Sequence, residues 1–412
     1  MEMYGYLPGQ KHAGSLNQLP PPLRRQPQKQ VRDMDLVHYF QHFAHLSLVT
    51  FGQRPSQIRD ILLSMAMTQD TVSGLACLYA VLAFSSLHRY GINEQALQLK
   101  VQAIQSLSAS VAGEPLTSEQ ATQHVAASMI LGAFEILNPL EASGEWLVHT
   151  WGAMDVIQTT GLRDQPCGSN AGHLLDWVQY HETISRFTMH HWRHKSLVPT
   201  TTARIGHRTQ DIQHLPLTQY RPNMPSVNPT FAILNLLSEI SETLIDPRDP
   251  RSTTGEYQAH LKDMDRRIKE IPANSAQTST DPDSKFAVEL YQMATQIYLA
   301  RASQSPWEPA ADLDSLIDSA FSGPVQYCSC EHFFPLLILA CEAQKDEQRV
   351  AIINLIERTQ RDTRIRSIQG VKDTIQSIWV QQDLHRDDDV VVDYLDIMSA
   401  VISSCRSVPS LA

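Results

Sequence analysis

The chain has 412 residues, a formal net charge of −11, 42% hydrophobic and 19% charged residues. That balance is ordinary for a soluble globular protein with a large core, and the length suggests two or three domains at about 150 residues each. It argues against a stand-alone nucleic-acid binder, because affinity for the phosphate backbone comes from clustered Lys and Arg.

Residues 1–32 combine Pro, Gln and Gly with few apolar side chains and are expected to be a disordered tail. The opening MEMYGYLPGQKHAGSLNQLPPP has no apolar run and is not expected to be a secretory signal. Within the tail, Arg24, Arg25, Lys29 and Arg32 make the one basic stretch. It reads either as a nuclear-import or phosphate-contact arm or as a solvated leader, and so few charges favour the leader.

From Asp33 the pattern is helical. Val72, Leu75, Ala76, Tyr79, Leu82, Ala83 and Leu87 follow helical spacing in a largely apolar segment, which predicts a buried helix ended near Gly91. A second helix is predicted over 94–107. Thr117-x-x-Gln120 before an apolar run predicts a capping box opening a helix over 118–137. Pro139 and Gly144 separate it from a helix over 146–160, which Gly161 ends, and another is predicted over 173–194. Residues 196–229 are polar, hold Pro199, Pro216, Pro222 and Pro225, and are expected to be a long irregular insertion. Helical spacing then resumes over 230–244, 257–271, 285–302 and 312–321; after Glu331 the segment 333–349 reads as a buried apolar helix, a small-residue turn and a charged helix start, followed by helices over 348–361, 368–383 and 390–405. Alternating apolar and polar runs are almost absent, so the expected class is all-α: one large multi-helix domain over 33–407 behind the tail. No fixed repeat supports a TPR or HEAT array, although a solenoid of dissimilar helical hairpins stays open. Apolar runs such as Phe333 to Cys341 are shorter than the roughly 20 residues that cross a bilayer.

Several groups of reactive side chains invite a chemical reading. His38, His42 and His45 approach the i, i+4 spacing that brings two imidazoles to one metal, but Tyr39 stands where a metalloprotease motif needs Glu. Buried or interfacial histidines are the stronger reading. His190, His191 and His194, with Glu182 earlier on the helix, lie among Arg186, Arg193 and Lys195, which favours protonated or surface histidines over metal ligands. Asp387, Asp388, Asp389 and Asp393 loosely imitate the aspartate motif with which all-α terpene synthases hold Mg²⁺ and diphosphate. No N-x-x-x-S/T-x-x-x-E partner motif completes such a site, and a helix N-terminal cap explains the aspartates better. Six cysteines (Cys77, Cys167, Cys328, Cys330, Cys341, Cys405) are spread through the chain, which points to a reducing, intracellular compartment rather than a disulfide framework. Cys328 and Cys330 could be redox-active, with plain buried thiols the default. Nucleophile-elbow, P-loop and dinucleotide motifs are missing from the sequence. Met129, Phe134, Trp146 and Trp151 fall at helical spacing as core, and could equally line a small-molecule pocket. No catalytic, cofactor or metal site is assigned from the sequence.

Three blocks resemble one family. DLVHYFQHFAH (35–45) with LYAVLAFSSLHRY (78–90) forms the first. AASMILGAFEI (126–136) with WLVHTWGAMDVI (146–157) forms the second, with Glu135, Trp146, His149, Gly152 and Ala153 at the matching places. FFPLLILACEAQKDEQR (333–349) with IQSIWVQQD (375–383) forms the third. Together they are similar to the C-terminal regulatory domain of fungal zinc-cluster, Zn(2)-C6, transcription factors. That resemblance implies an all-helical, non-catalytic transcriptional regulator in the nucleus, often tied to nutrient-use or secondary-metabolite genes. The partners implied are other regulators or coactivators, as homo- or heterodimers, with a small-molecule effector open, DNA reached only indirectly or weakly, and no membrane. The family's DNA reader holds two zinc ions on six thiolates in C-x2-C pairs. Here no cysteine precedes Cys77 and the nearest pair is C-x-C, so the resemblance stops short of that half. A reader encoded upstream of Met1 is the remaining expectation. The alternative function is a helical biosynthetic enzyme using Asp388 and Asp389 at a Mg²⁺–diphosphate site.

Overall fold

The computed structural model describes residues 27–68, 70–113, 115–138, 144–166, 168–193, 231–247, 249–271, 282–304, 313–326, 330–363, 368–384, 394–405 and 408–411. Among these residues there are fifteen α-helices and no strand, as the spacing predicts. Most of the tail, the 196–229 insertion, and Asp387, Asp388, Asp389 and Asp393 lie outside the described residues.

The first seven helices are α1 (Pro27–His42), α2 (Pro55–Met67), α3 (Val72–Tyr90), α4 (Glu94–Val111), α5 (Ser118–Leu137), α6 (Glu145–Thr160) and α7 (Asn170–Arg193). Their ends follow local chemistry. The Thr71 and Asn93 side chains accept the backbone N–H groups of Gly74 and Ala96, capping α3 and α4. Thr117 and Gln120 form the predicted reciprocal capping box of α5. Gly161 closes α6 at φ 68°, a left-handed conformation that costs glycine least. α1 begins at Pro27, ahead of Asp33, and α7 begins at Asn170, with Gly172 inside its first turn rather than before it. The Gly172 N–H donates to the Ser169 hydroxyl, so Ser169 caps the start of α7.

Eight helices follow: α8 (Ala232–Thr243), α9 (Gly255–Glu270), α10 (Pro282–Ala302), α11 (Asp314–Ser322), α12 (Phe333–Glu342), α13 (Asp346–Thr363), α14 (Ile368–Leu384) and α15 (Tyr394–Ser404). Two apolar cores result. In the first, α3 lies against α2, α4 and α5, and α5 against α6. α3 and α5 are buried on nearly every side, which explains why their sequences are apolar all round rather than striped. α3 is also the one described helix long and apolar enough to cross a membrane, but 78% of its apolar window is buried inside the fold. The second core gathers α8 to α15 around α12, every residue of which is buried.

α7 belongs to both cores. Leu174, Trp177 and Val178 pack into the first, while Tyr180, Ile184 and Phe187 pack into the second. The Trp177 indole N–H donates to the Val49 carbonyl at 3.0 Å, pinning the α1–α2 connection onto α7. Near the other end of the chain, the Trp146 indole N–H donates to the Val408 carbonyl at 3.0 Å. The C-terminal segment is thereby tied back to α6, where Trp146, Leu147, Met189 and Val408 form a small third cluster.

Candidate functional site

The signature residues assemble into junctions between packed helices. In the first core, Glu135 on α5 is almost fully enclosed, and Lys100 on α4 meets it with Nζ 2.6 Å from Oε1. Lys100 also reaches Glu145 at 3.3 Å and lies over the Phe134 ring. His149 on α6 stands 3.9 Å from Glu135. Burial lowers the His149 pKa to about 4, and the Lys100 ammonium adds to that, so the imidazole is neutral beside the ion pair. Burial is the largest influence on Lys100 and pulls it down, but the hydrogen bonds and charges of Glu135 and Glu145 together outweigh it and hold the ammonium above its ordinary value. Gly132, one turn before Glu135, faces α6 at ordinary packing distance: a Cβ there would lie 3.6 Å from the Trp146 carbonyl oxygen and from the His149 Cβ. The block read from sequence as Glu135, Trp146 and His149 is thus the α5–α6 contact.

The third block makes an equivalent joint in the second core. Arg349 in α13 donates through Nε to the Ala343 carbonyl at 3.0 Å, just past the end of α12. Its two terminal nitrogens grip the Asp383 carboxylate of α14 at 2.8 and 2.9 Å, and its guanidinium lies 5.5 Å from the centre of the Trp379 ring. Trp379 itself donates to the Ala340 carbonyl at 2.9 Å, and Gln382 to the Cys341 carbonyl at 2.6 Å. Trp379 and Gln382 therefore supply donors to carbonyls in the last turn of α12, and Arg349 supplies one to the Ala343 carbonyl just beyond it. Glu342, the last residue of α12, is buried and paired with Arg301 of α10 at 2.9 Å.

Within the second core lies an aromatic node that the sequence reading did not single out. Phe51 stacks on Tyr180 and meets Phe231, Tyr291 and His332 edge-on, with centroids 4.8–5.9 Å apart. The Tyr180 hydroxyl is 3.0 Å from His332 Nδ1 and receives the Tyr291 hydroxyl at 3.4 Å. Burial lowers the His332 pKa to about 3 and raises both tyrosines, so every member is uncharged near neutrality. These residues come from five separate stretches, and a node of that kind leaves no local spacing to read. Lys100 and Arg301 were missed for the same reason, although Lys100 is the single basic residue of its helix.

The other candidates separate. His38 and His42 are exposed on α1, whereas His45 lies buried in the short 3₁₀ turn Ala44–Ser47, its Nδ1 against the Phe40 carbonyl at 2.9 Å. The helix ends before the third histidine, so no common face forms. His191 corrects the expectation of a surface histidine: it is buried, with Nδ1 3.1 Å from the Ser399 hydroxyl and Nε2 3.0 Å from the Tyr298 hydroxyl. Glu182 is buried against Arg186, which also pairs with Glu242, while His194 lies outside the described residues. Cys330 is a buried thiol 3.5 Å from the His332 carbonyl, and burial pushes the Cys77 thiol up to about 12. Cys167 and Cys328 lie outside the described residues. Met129, Phe134 and Trp146 are core and Trp151 is half-buried against Trp146 and its neighbours. Among the described residues no group of three or more His, Cys, Asp or Glu is placed to hold a metal ion.

Against known proteins, the sequence profile of the fungal specific transcription factor domain matches residues 35–405. The chain is 32% identical over 385 residues to a protein of Pestalotiopsis fici named transcription factor iacI, an alignment covering 92% of this chain and 94% of that one. No solved structure matches.

Proposed function

The chain belongs to the fungal specific transcription factor domain family and is a transcriptional regulator, and from that premise we propose that it works in the nucleus as a non-catalytic scaffold. It acts on promoters through a partner regulator or coactivator, reaching DNA indirectly. The target genes of this reading serve nutrient use or secondary metabolism.

One observation carries the proposal: the residues that mark the family are spent on holding helices together. Lys100, Glu135 and His149 lock α4, α5 and α6, and Arg349, Trp379 and Asp383 lock α12, α13 and α14. Groups engaged in that way shape a surface and position it, which is what a partner-binding domain needs. The charge supports the indirect route to DNA, since −11 over the chain opposes phosphate and the cysteines contain no C-x2-C pair.

The test is promoter occupancy. Chromatin immunoprecipitation of the tagged chain should give promoter signals that vanish when the partner regulator's gene is deleted. Signals that survive deletion of every zinc-cluster regulator, or purified protein binding an operator unaided, would overturn the partner-dependent reading.

A further inference from the structure

α4 is apolar on two faces. Ala96, Leu99, Ala103 and Leu107 are buried against the first core. Leu97, Val101, Ile104 and Val111 are exposed, at 43%, 50%, 37% and 54% of their surface. At 100° per residue these four fall within about 40° of one line, roughly 115° round the helix from the buried face. Their spacing of four, three and seven, with Ser108 filling the gap, is that of a heptad seam, the pattern by which one helix packs along another. Tyr90 and Ile92, exposed just ahead of α4, prolong the strip. The Lys100–Glu145 bridge draws the start of α6 alongside, and Val148, one turn beyond Glu145, is 53% exposed. Solitary exposed apolar residues need no explanation, but an ordered seam does.

We propose that this seam is the docking face for a second copy of this chain, the two α4 helices meeting across a two-fold axis. The proposal rests on the reading that the chain works through protein partners and makes its own copy one of them. Charge selects that occupant. α4 carries two charged residues, Glu94 in its first turn and Lys100, whose ammonium is taken by Glu135 and Glu145. The exposed flanks of the seam are Gln98 and Gln105, where a seam that chooses a different partner places complementary charges. A chain of net charge −11 repels its copies over most of its surface, and the seam from Leu97 to Val111 holds no carboxylate, so it is where two can approach. A self-complementary strip also meets the requirement of a two-fold contact, in which the same patch serves both sides. From Leu97 to Val111 the seam runs about 21 Å. One helix face is small beside the roughly 800 Å² per partner of a standard interface, so the dimer is a transient one, forming at about 10–100 µM.

Analytical ultracentrifugation of the full chain from about 1 µM to about 300 µM tests this directly. The wild type should pass from monomer toward dimer across that range, and V101E/I104E should stay monomeric. V350E, altering a residue 57% exposed on α13, should dimerise like the wild type. Because all three positions are exposed, circular dichroism and the melting temperature should hold within about 2 °C. Mixing V101E/I104E with V101K/I104K should restore a dimer, as it does only if seam faces seam. A wild type monomeric throughout, a V101E/I104E protein that still dimerises, or a mixture that stays monomeric would each overturn the proposal. A monomeric wild type that nonetheless loses promoter occupancy in partner deletions would leave the partner-dependent reading standing and remove only the self-docking face.

Discussion

The two signature junctions use the same kinds of side chain in opposite surroundings. At the α4–α5–α6 junction the ion pair is enclosed: Lys100 is 17% and Glu135 1% exposed. At the α12–α13–α14 junction Arg349 is 15% exposed but its partner Asp383 is 48% exposed. Water can replace the lysine poorly in the first case and the arginine readily in the second. An ion pair's contribution when intact says little about its importance; what matters is how badly the survivor fares when the partner is removed.

That contrast is most open to attack at Lys100. Lys100→Met leaves the Glu135 carboxylate enclosed and uncompensated, and should cost about 3–5 kcal/mol in urea unfolding at neutral pH. Lys100→Met combined with Glu135→Leu should recover most of that loss, because the buried charge has gone with its partner. If the single variant loses under about 1 kcal/mol, the junction is wetter than its geometry implies.

The next effect is set by pH. Three histidines are held neutral by burial: His149 and His181 at about 4, and His332 at about 3. Unfolded, each would titrate near 6.5. The unfolded state therefore binds the extra protons as pH falls below 6.5, and stability drops until the folded values near 4 and 3 are reached. Between pH 6.5 and pH 5 the loss should be about 2 kcal/mol for each histidine. His332→Phe removes one titrating group, so its stability profile over that interval should be shallower than the wild type's by about that amount, whatever its absolute stability. Parallel profiles would mean that His332 titrates normally in the folded chain.

The exposed junction should respond less. Arg349→Ala removes a partly exposed ion pair, a contact with the Trp379 face and the donor to the Ala343 carbonyl, together about 1–2 kcal/mol. Asp383→Asn, which leaves the tryptophan contact and the carbonyl bond in place, should cost under about 1 kcal/mol, and that small cost should shrink further in high salt. Thermal melts at two salt concentrations separate the two outcomes.

Which of these features could be read from the sequence follows from how local they are. The helices were legible because spacing, caps and glycines act within a few residues, as at Thr117–Gln120 and Gly161. Glu135, Trp146, His149 and Arg349 stood out through family resemblance, but their partners did not. Lys100 is 35 positions from Glu135 along the chain, and Arg301 is 41 from Glu342. The Phe51–Tyr180–Tyr291–His332 node joins even more distant stretches, and only the tertiary fold brings them together. His191 was misjudged because flanking Arg186 and Arg193 suggested solvent, whereas α7 turns that position into the second core.

The smallest prediction returns to the two junctions at their helix starts. α5 has a complete capping box: the Gln120 N–H donates to the Thr117 hydroxyl and the Gln120 side chain accepts the Thr117 N–H. α13 has half of one, because the Gln348 side chain accepts the Lys345 N–H at 3.1 Å, but lysine has no oxygen to return the bond. Thr117→Ala should therefore cost about 1 kcal/mol. Lys345→Thr, at an exposed position, should gain about 0.5–1 kcal/mol by supplying the missing acceptor. The same substitution followed by Gln348→Ala should lose that reciprocal arrangement and fall below the gain of Lys345→Thr alone. If Lys345→Thr is neutral, the lysine's attraction to the acidic first turn of Asp346 and Glu347 was worth as much as the cap, and the two starts differ in means rather than in strength.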